Sequence, residues 1–362
     1  MSSKSVLWVT NYGAPYRRPV WDELARHCEL TVLLLGGDRA LRSDQRRGKE
    51  WEVGGLHEAA EYEISHAPTL RIARGEREYF VLKGSVPVKR FNGVLLGGWE
   101  SPAYWQIRSM LRSGQRQIGF YESTVYSARH SRGPVAAARR KYFRSLDGVV
   151  VPGIAAAESL RAMGIPTSSI FQGFNAVDVT TFARSVSSPA VGLHPHRFIY
   201  VGQLIARKNV DGLLRSLADL MSPAWTLTVV GDGPDRGALR TLADQLGISD
   251  RTVFSGPLPY DALPQVLADH HTLVLPSLEE VWGLVANEAL AAGCHVVVSE
   301  LAGVAPSIAG MRGVWVSPVE RNSLTHALAE SAHRYKGRQR QHEILRHTPE
   351  QFARTFLRAL GS

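Results

Sequence analysis

Residues 275–293 read LPSLEEVWGLVANEALAAG, and this stretch decides the fold. Residues 272–275 before and into it form a short apolar strand. A turn containing glycine follows. Beyond Gly283 the spacing is helical, and Gly293 sits where a left-handed cap would stop a helix. The order is therefore strand, loop, helix, with Glu280 in the loop and Glu288 on the first turns of the helix. A helix N-terminus offers free backbone N–H groups and the positive end of the helix dipole, which suits a phosphate. Carboxylates repel a phosphate but accept hydrogen bonds from hydroxyls. Phosphate donors between two hydroxyl acceptors describe a nucleotide-sugar pocket. From these residues alone, a surface helix with acids near its N-terminus reads equally well.

The surroundings extend the pattern. Residues 6–10 form a strand, 11–16 a loop, 18–27 a helix and 30–35 a second strand, which is a right-handed βαβ unit. Later strands fall at 93–96, 117–120 and 148–151, separated by helical patterns at 102–111 and 135–146, giving an open parallel sheet. Residues 184–196 hold Ser, Pro, Gly and His with little periodicity and read as a linker. A second series has strands at 198–201, 226–230, 252–254, 272–275, 295–299 and 313–316. The last segment, 349–360, is an amphipathic helix. The fold class is α/β. In doubly wound sheets, ligands bind beyond the carboxyl ends of the strands, and the Gly-rich and charged segments fall at those ends.

Composition bounds the rest. The chain of 362 residues suits two domains. An apolar content of 44% describes a globular chain. No apolar run is long enough for a membrane-spanning helix, and residues 1–10 are too short for a signal peptide. Cys28 and Cys294 lie in separate halves, in apolar surroundings, with no metal spacing, and read as core thiols in a cytoplasmic protein. The formal charge of +9 attracts anions: nucleotide phosphates, an anionic membrane face or nucleic acid. Its basic clusters, residues 39–49 and 129–144, lack the interleaved aromatics of a nucleic-acid surface, so no nucleic-acid partner is expected. A solvated face is the plain reading of each cluster. The second, with Arg129, Arg132, Arg139, Arg140, Lys141 and Arg144, also permits peripheral contact with an anionic membrane. His130, His270 and His271 show no ligand spacing.

Residues 280–288 resemble the Glu-x7-Glu signature of family 4 retaining glycosyltransferases, which have the GT-B fold. Residues 201–209, VGQLIARKN, resemble that family's diphosphate loop. Residues 229–234, VVGDGP, resemble its second Gly-rich turn, and residues 254–256 with Leu258 its nucleotide-base loop. Residues 175–178, NAVD, resemble the motif that closes its first domain. The matches keep the family's order from Asn175 to about Gly303 and are loose before it. The resemblance implies two Rossmann-like doubly wound domains facing a central cleft: residues 1–185 for the acceptor and 195–345 for the nucleotide sugar. Residues 346–362 would form a helix packing back on the first domain. It implies a metal-independent enzyme that moves a hexosyl unit from a nucleotide diphosphate sugar, a substrate rather than a cofactor, to a hydroxyl of a small-molecule or lipid-linked acceptor.

Site roles follow from the same resemblance. Lys208 neutralises the leaving diphosphate, Glu280 meets sugar hydroxyls and Glu288 meets ribose hydroxyls. Val281, Trp282, Gly283 and Leu284 present backbone N–H groups. Gly13, Gly231, Gly233 and Leu258 complete the donor site. Gln203 stands where the family usually has Arg, with Arg207 as a substitute cation. Tyr16, Arg17, Trp99 and Glu100 are acceptor-binding candidates. Glu122 stands where many relatives carry a His and, with Lys208 and Glu280, is a catalytic candidate in that polar role. Glu279 is expected to face solvent. Two other readings stay open: a non-catalytic nucleotide-sugar-binding homologue, favoured by Gln203 and the missing His, and a sugar-nucleotide epimerase or phosphorylase of the same fold. No Gly-x-Gly-x-x-Gly follows the first strand, which disfavours a dinucleotide oxidoreductase.

Overall fold

The computed structural model describes residues 4–36, 61–74, 77–127, 130–184, 195–221, 224–339 and 343–361. The basic cluster at 39–49, Arg129 and most of the expected linker lie outside these residues. The chain forms two compact units, residues 1–174 with 349–362, and residues 175–348.

Unit 1 begins β1 (Ser5–Thr10), α1 (Arg18–Ala25), β2 (Glu29–Leu34) and β3 (Glu63–His66). It continues with β4 (Thr69–Arg74), β5 (Arg77–Leu82), β6 (Gly93–Leu96), α2 (Pro102–Met110), β7 (Arg116–Phe120) and α3 (Gly133–Arg144). Then come β8 (Gly148–Val151), α4 (Ile154–Ala162) and β9 (Ile170–Gln172). Seven strands form a sheet in the order β3-β2-β1-β6-β7-β8-β9, every pair parallel. Helices cover both faces, so the strands are apolar on alternate positions both ways. On β1, Leu7 and Val9 join a core with Val94, Leu96, Val149 and Val151, closed by Tyr104 and Ile107 of α2 and Phe143 of α3. Trp8 points the other way, against Trp21 of α1, with ring centroids 6.0 Å apart.

Unit 2 holds α5 (Val179–Arg184), β10 (His196–Val201), α6 (Val210–Ala218), β11 (Trp225–Val230) and α7 (Arg236–Gln245). It continues with β12 (Thr252–Gly256), α8 (Leu263–Ala268), β13 (Thr272–Leu275), α9 (Leu284–Ala291) and β14 (His295–Ser299). Its last elements are α10 (Ala305–Ile308), β15 (Val314–Ser317) and α11 (Arg321–Arg334). The final helix, α12 (Pro349–Leu360), returns to unit 1. There Phe356 packs on Trp8 at 4.7 Å and Phe352 on Phe120 at 6.1 Å. The unit 2 sheet runs β12-β11-β10-β13-β14-β15, all parallel.

Three differences from the sequence reading stand out. The division between units falls after Phe174, ahead of the boundary expected at 185, because α5 packs on α8 and α9 within unit 2. The β4–β5 hairpin and the edge strands β3 and β9 were not anticipated. β3 and β9 carry too few buried apolar residues to announce themselves. Cys28 and Cys294 are buried as expected, and burial pushes their thiols up to about 11 and about 12.

At the amino end of the unit 2 sheet, His196, His271, Tyr335 and His295 pack ring to ring, with His271 stacked on Tyr335 at 4.5 Å. Burial pushes His295 down to about 4 against the pull of the Ser331 carbonyl. Its folded pKa lies below the ordinary 6.5, so the unfolded chain binds the extra proton between those values and stability falls with pH across that window. Unfolding melts should therefore show wild type losing stability from pH 6.5 towards 4, and His295→Gln losing less over the same range.

Candidate functional site

The unit 2 strand order reverses between β10 and β13, and the loops leaving their carboxyl ends meet there. The loop after β10 is held from below by Tyr200, whose hydroxyl donates to the Gln203 carbonyl at 2.8 Å. It ends in a short 3-10 turn, Ala206–Lys208, and Asn209 takes a left-handed conformation at φ 56°. The Asn209 side chain repays that strain by donating to the Pro276 carbonyl at 3.1 Å. The Leu278 amide donates to the Arg207 carbonyl at 2.8 Å. The β10 and β13 loops are thus laced together, and Lys208 forms an ion pair with Glu280. Both side chains are 14% exposed, and Ser277 Oγ lies 3.5 Å from the same carboxylate.

The main chain around Glu280 is clipped to the loop after β14. Gly303 N donates to the Glu280 carbonyl at 3.0 Å and Val304 N to the Trp282 carbonyl at 3.1 Å. Gly283 caps the start of α9 at φ 100°, where a Cβ would also lie 2.5 Å from Leu275 Cδ2. Only glycine meets both demands. The Trp282 side chain is buried and donates to Asn287 Oδ1 at 3.3 Å, and Asn287 Nδ2 donates to the Asn175 carbonyl at 2.6 Å. Any part Trp282 takes in ligand binding therefore comes from its backbone. The amide at Asn287 also ties the start of unit 2 to α9.

Glu288 sits on the next turn of α9 and is only 5% exposed. Tyr260 Oη donates to its Oε1 at 3.0 Å, and the Tyr260 ring meets Phe182 edge-on at 5.9 Å. Burial pushes the Glu288 carboxyl up to about 7, against the Tyr260 hydrogen bond, which holds it down. A carboxyl with one oxygen taken and a second one available is a hydroxyl acceptor whose charge turns on near neutrality.

The neighbouring loops complete this end of the sheet. Gly202 N donates to the Val230 carbonyl at 3.0 Å and Gly231 N to the Gly256 carbonyl at 2.9 Å. Leu204 N donates to the Asp232 carbonyl at 2.9 Å. A side chain at Gly231 or Gly233 would run into the backbone of residues 202–204, so both glycines serve close approach of the β10 and β11 loops. Leu258, after left-handed Gly256, is half-buried. Arg207, the expected substitute cation, is exposed. Glu279, expected to face solvent, is half-buried.

In unit 1 the corresponding reversal lies between β1 and β6. The sequence reading separated Arg17 from Glu122; the structure pairs them. Arg17 is buried, lies over the Phe120 ring at 4.4 Å and meets Tyr16 at 5.3 Å, and its Nη1 finds no acceptor among the described residues. Glu122 stays 30% exposed. Gly13 is buried and Tyr16 half-buried beside them. Trp99 is half-buried, with its carbonyl accepting Trp105 Nε1 at 2.9 Å, while Glu100 is exposed. Of the basic cluster, Arg139 is buried beneath Trp99 and donates to the His130 carbonyl at 2.7 Å. Arg132, Arg140, Lys141 and Arg144 are exposed. Glu122→Ala should cost about 1–2 kcal/mol, less than a fully buried pair because Glu122 is part-exposed. Urea unfolding of the variant against wild type measures it.

Tyr260, Tyr200, Asn209, Ser277 and Asn287 are the site's unforeseen members. Tyr260, Asn209 and Asn287 act through partners distant in sequence, and Tyr200 and Ser277 through a neighbour three residues on, a contact that only the folded loop makes. Among the described residues, no cluster of His, Cys, Asp and Glu is placed to hold a metal ion.

Residues 188–347 match the family model described as Glycosyl transferases group 1. An uncharacterized glycosyltransferase of Methanocaldococcus jannaschii, MJ1607, is 34% identical over 128 residues, 35% of this chain and 33% of that protein. Glycogen synthase of Mycobacterium tuberculosis is 26% identical over 304 residues, 83% of this chain and 62% of that protein. The matched stretches thus span from a third to under two thirds of these two relatives. Among solved structures, Anabaena Alr3699/HepE in complex with UDP and glucose superposes with a TM-score of 0.69 at 16% identity, covering 99% of this chain and 100% of that one. The two parallel-sheet, Rossmann-like units are those of GT-B glycosyltransferase structures.

Proposed function

We propose that the chain is a glycosyltransferase of group 1 that carries a hexosyl unit from a nucleotide diphosphate sugar to an acceptor hydroxyl. The observation that carries this reading is the gathering, at the β10/β13 reversal, of Lys208 on Glu280, the Gly283-capped start of α9 and buried Glu288. Lys208 and the amides of residues 281–284 face the leaving diphosphate. Glu280 positions Lys208 and accepts from sugar hydroxyls. Glu288, steadied by Tyr260, accepts from the ribose. Leu258 meets the base.

The match to group 1 and the sequence resemblance to family 4 support transfer with retention, without a metal. In that chemistry the bond from the anomeric carbon to the diphosphate oxygen breaks and the acceptor oxygen bonds on the same face. The acceptor proton passes to the departing phosphate oxygen. The protein supplies position and countercharge rather than a covalent nucleophile. Arg17, with Glu122, Tyr16, Trp99 and Glu100, is the acceptor-side set, for a small-molecule or lipid-linked hydroxyl. The protein works in the cytoplasm, at or near the inner membrane face.

A donor screen tests this. Thermal shifts with UDP-, GDP-, dTDP- and ADP-sugars should single out one base, since a ligand of the folded state alone raises apparent stability. Proton NMR of the product with that donor should show the donor's anomeric configuration. Inversion would end the family 4 assignment. Gln203, uncharged where the family usually has Arg, favours one second reading: a homologue that binds the donor without turning it over. Slow donor hydrolysis without acceptor rules that reading out.

A further inference from the structure

The β4–β5 hairpin is the part of unit 1 that the donor chemistry leaves unexplained. Its register pairs Leu70 with Val81, Ile72 with Tyr79 and Arg74 with Arg77 on one face, and Thr69 with Leu82 and Arg71 with Phe80 on the other. Opposed residues of an antiparallel pair share a face. The inner face is anchored: Phe80 and Leu82 enter the unit 1 core. The Phe80 and Leu82 amides donate to Ser101 Oγ at 3.1 Å and Gln106 Oε1 at 2.8 Å, so one hairpin edge is closed by α2. Tyr12, from the loop after β1, meets Phe80 edge-on at 5.7 Å and donates its hydroxyl to Glu78. The hairpin is therefore fixed at the carboxyl end of the unit 1 sheet, beside the loop that carries Tyr16 and Arg17.

Among the described residues the outer face has no such cover. Leu70 and Ile72 are each 47% exposed, with half-buried Tyr79 and Val81 opposite them. Exposed Arg74 and Arg77 bound this apolar stripe at one end, and exposed Lys83, next in the alternation, bounds it at the other. The one acid of the two strands, Glu78, lies on the inner face and is paired with Arg71 and Tyr12. A second copy meeting this face about a two-fold axis would set basic ends against basic ends, which costs affinity. An anionic lipid surface answers both features: the arginines and lysine meet headgroup phosphates while Leu70 and Ile72 enter the boundary with the acyl chains.

We propose that the outer face of the β4–β5 hairpin docks on an anionic lipid surface and holds the carboxyl end of the unit 1 sheet against it. The docking needs no sugar donor, so its test is independent of the transferase reading. The full chain is pelleted with vesicles of phosphatidylcholine alone and of phosphatidylcholine with phosphatidylglycerol, at low and high salt. Wild type should pellet only with the anionic vesicles and be released by salt. Leu70→Ser with Ile72→Ser, and separately Arg74→Glu with Arg77→Glu, should each lower the partition coefficient about tenfold or more. Circular dichroism and nucleotide binding in unit 2 report that each variant is folded. Equal pelleting on neutral and anionic vesicles overturns the proposal, as does none on either. So do hairpin variants that bind like wild type while Arg132→Glu, Arg140→Glu, Lys141→Glu and Arg144→Glu together abolish binding, since docking then belongs to α3. A light-scattering dimer that Leu70→Ser with Ile72→Ser dissolves would replace the membrane by a second copy.

Discussion

Replacing Lys208 by alanine should cut turnover by about two to three orders of magnitude while nucleoside diphosphate affinity changes far less. As the sugar leaves, negative charge builds on the departing diphosphate, and a donor already aimed there stabilises the transition state more than the ground state. Removing one such preorganised donor typically costs about 2.7–4 kcal/mol of barrier. Lys208 is preorganised: it is 14% exposed, its turn is closed by Asn209 on Pro276, and its ammonium rests on Glu280. The same pairing supplies a control. Glu280→Gln keeps a hydrogen-bond acceptor near Lys208 but drops the anchoring charge, so it should lower turnover less than Lys208→Ala. Gln203→Arg should raise turnover if Gln203 lines the diphosphate. Steady-state rates with the donor found by thermal shift, beside calorimetry with the nucleoside diphosphate, separate the two effects. Wild-type turnover in Lys208→Ala would remove Lys208 from the reaction.

Glu288→Ala should weaken nucleotide binding by about 1.5–3 kcal/mol, the loss of a charged acceptor for ribose hydroxyls. The buried carboxyl adds a pH signature. With its pKa at about 7, Glu288 is largely protonated in mild acid, where it offers fewer acceptor sites. Affinity measured by calorimetry should therefore rise through pH 7 in wild type and stay level in Glu288→Gln. Stability runs the opposite way. The folded pKa of about 7 exceeds the ordinary carboxyl value of 4.5, so the folded state holds the extra proton between them. The stabilisation this gives is complete below pH 4.5 and lost as pH rises through 7. Glu288→Gln cannot ionise, so its melting temperature should gain on wild type from pH 5 to pH 8. Tyr260→Phe removes the bond that holds the pKa down, and the affinity rise should move to higher pH. A flat wild-type affinity profile would show that Glu288 does not meet the nucleotide in its charged form.

Residues 275–293 made the second half legible because its signals are local. The apolar strand, the glycine at a forced left-handed turn and the helix after it are each specified by neighbours, and β13, α9 and left-handed Gly293 stand where those residues placed them. The buried parallel strands at 93–96, 148–151, 272–275 and 295–299 were equally plain, since strands covered on both faces are continuous apolar runs. The β4–β5 hairpin was not plain, because its first strand mixes arginines with apolar residues and is exposed along nearly its whole length.

By itself the sequence determined the alternation of strands and helices, the tandem of two α/β units, and the residue types at the strand ends. Those follow from backbone preference and hydrophobic period, which act within a few residues. Only the tertiary structure decided which side chains meet. It placed Lys208 on Glu280 and Tyr260 on Glu288, and it turned the Trp282 side chain inward. It buried Arg17 against Glu122 and joined α5 to unit 2 rather than unit 1. The Lys208–Glu280 and Arg17–Glu122 pairs depend on strand order, because the reversals at β10/β13 and β1/β6 bring together loops far apart in the chain. The Glu288 carboxyl shows the difference most directly. Its place on a helix is a matter of spacing, but its pKa near 7 comes from burial, and burial is a property of the packed fold.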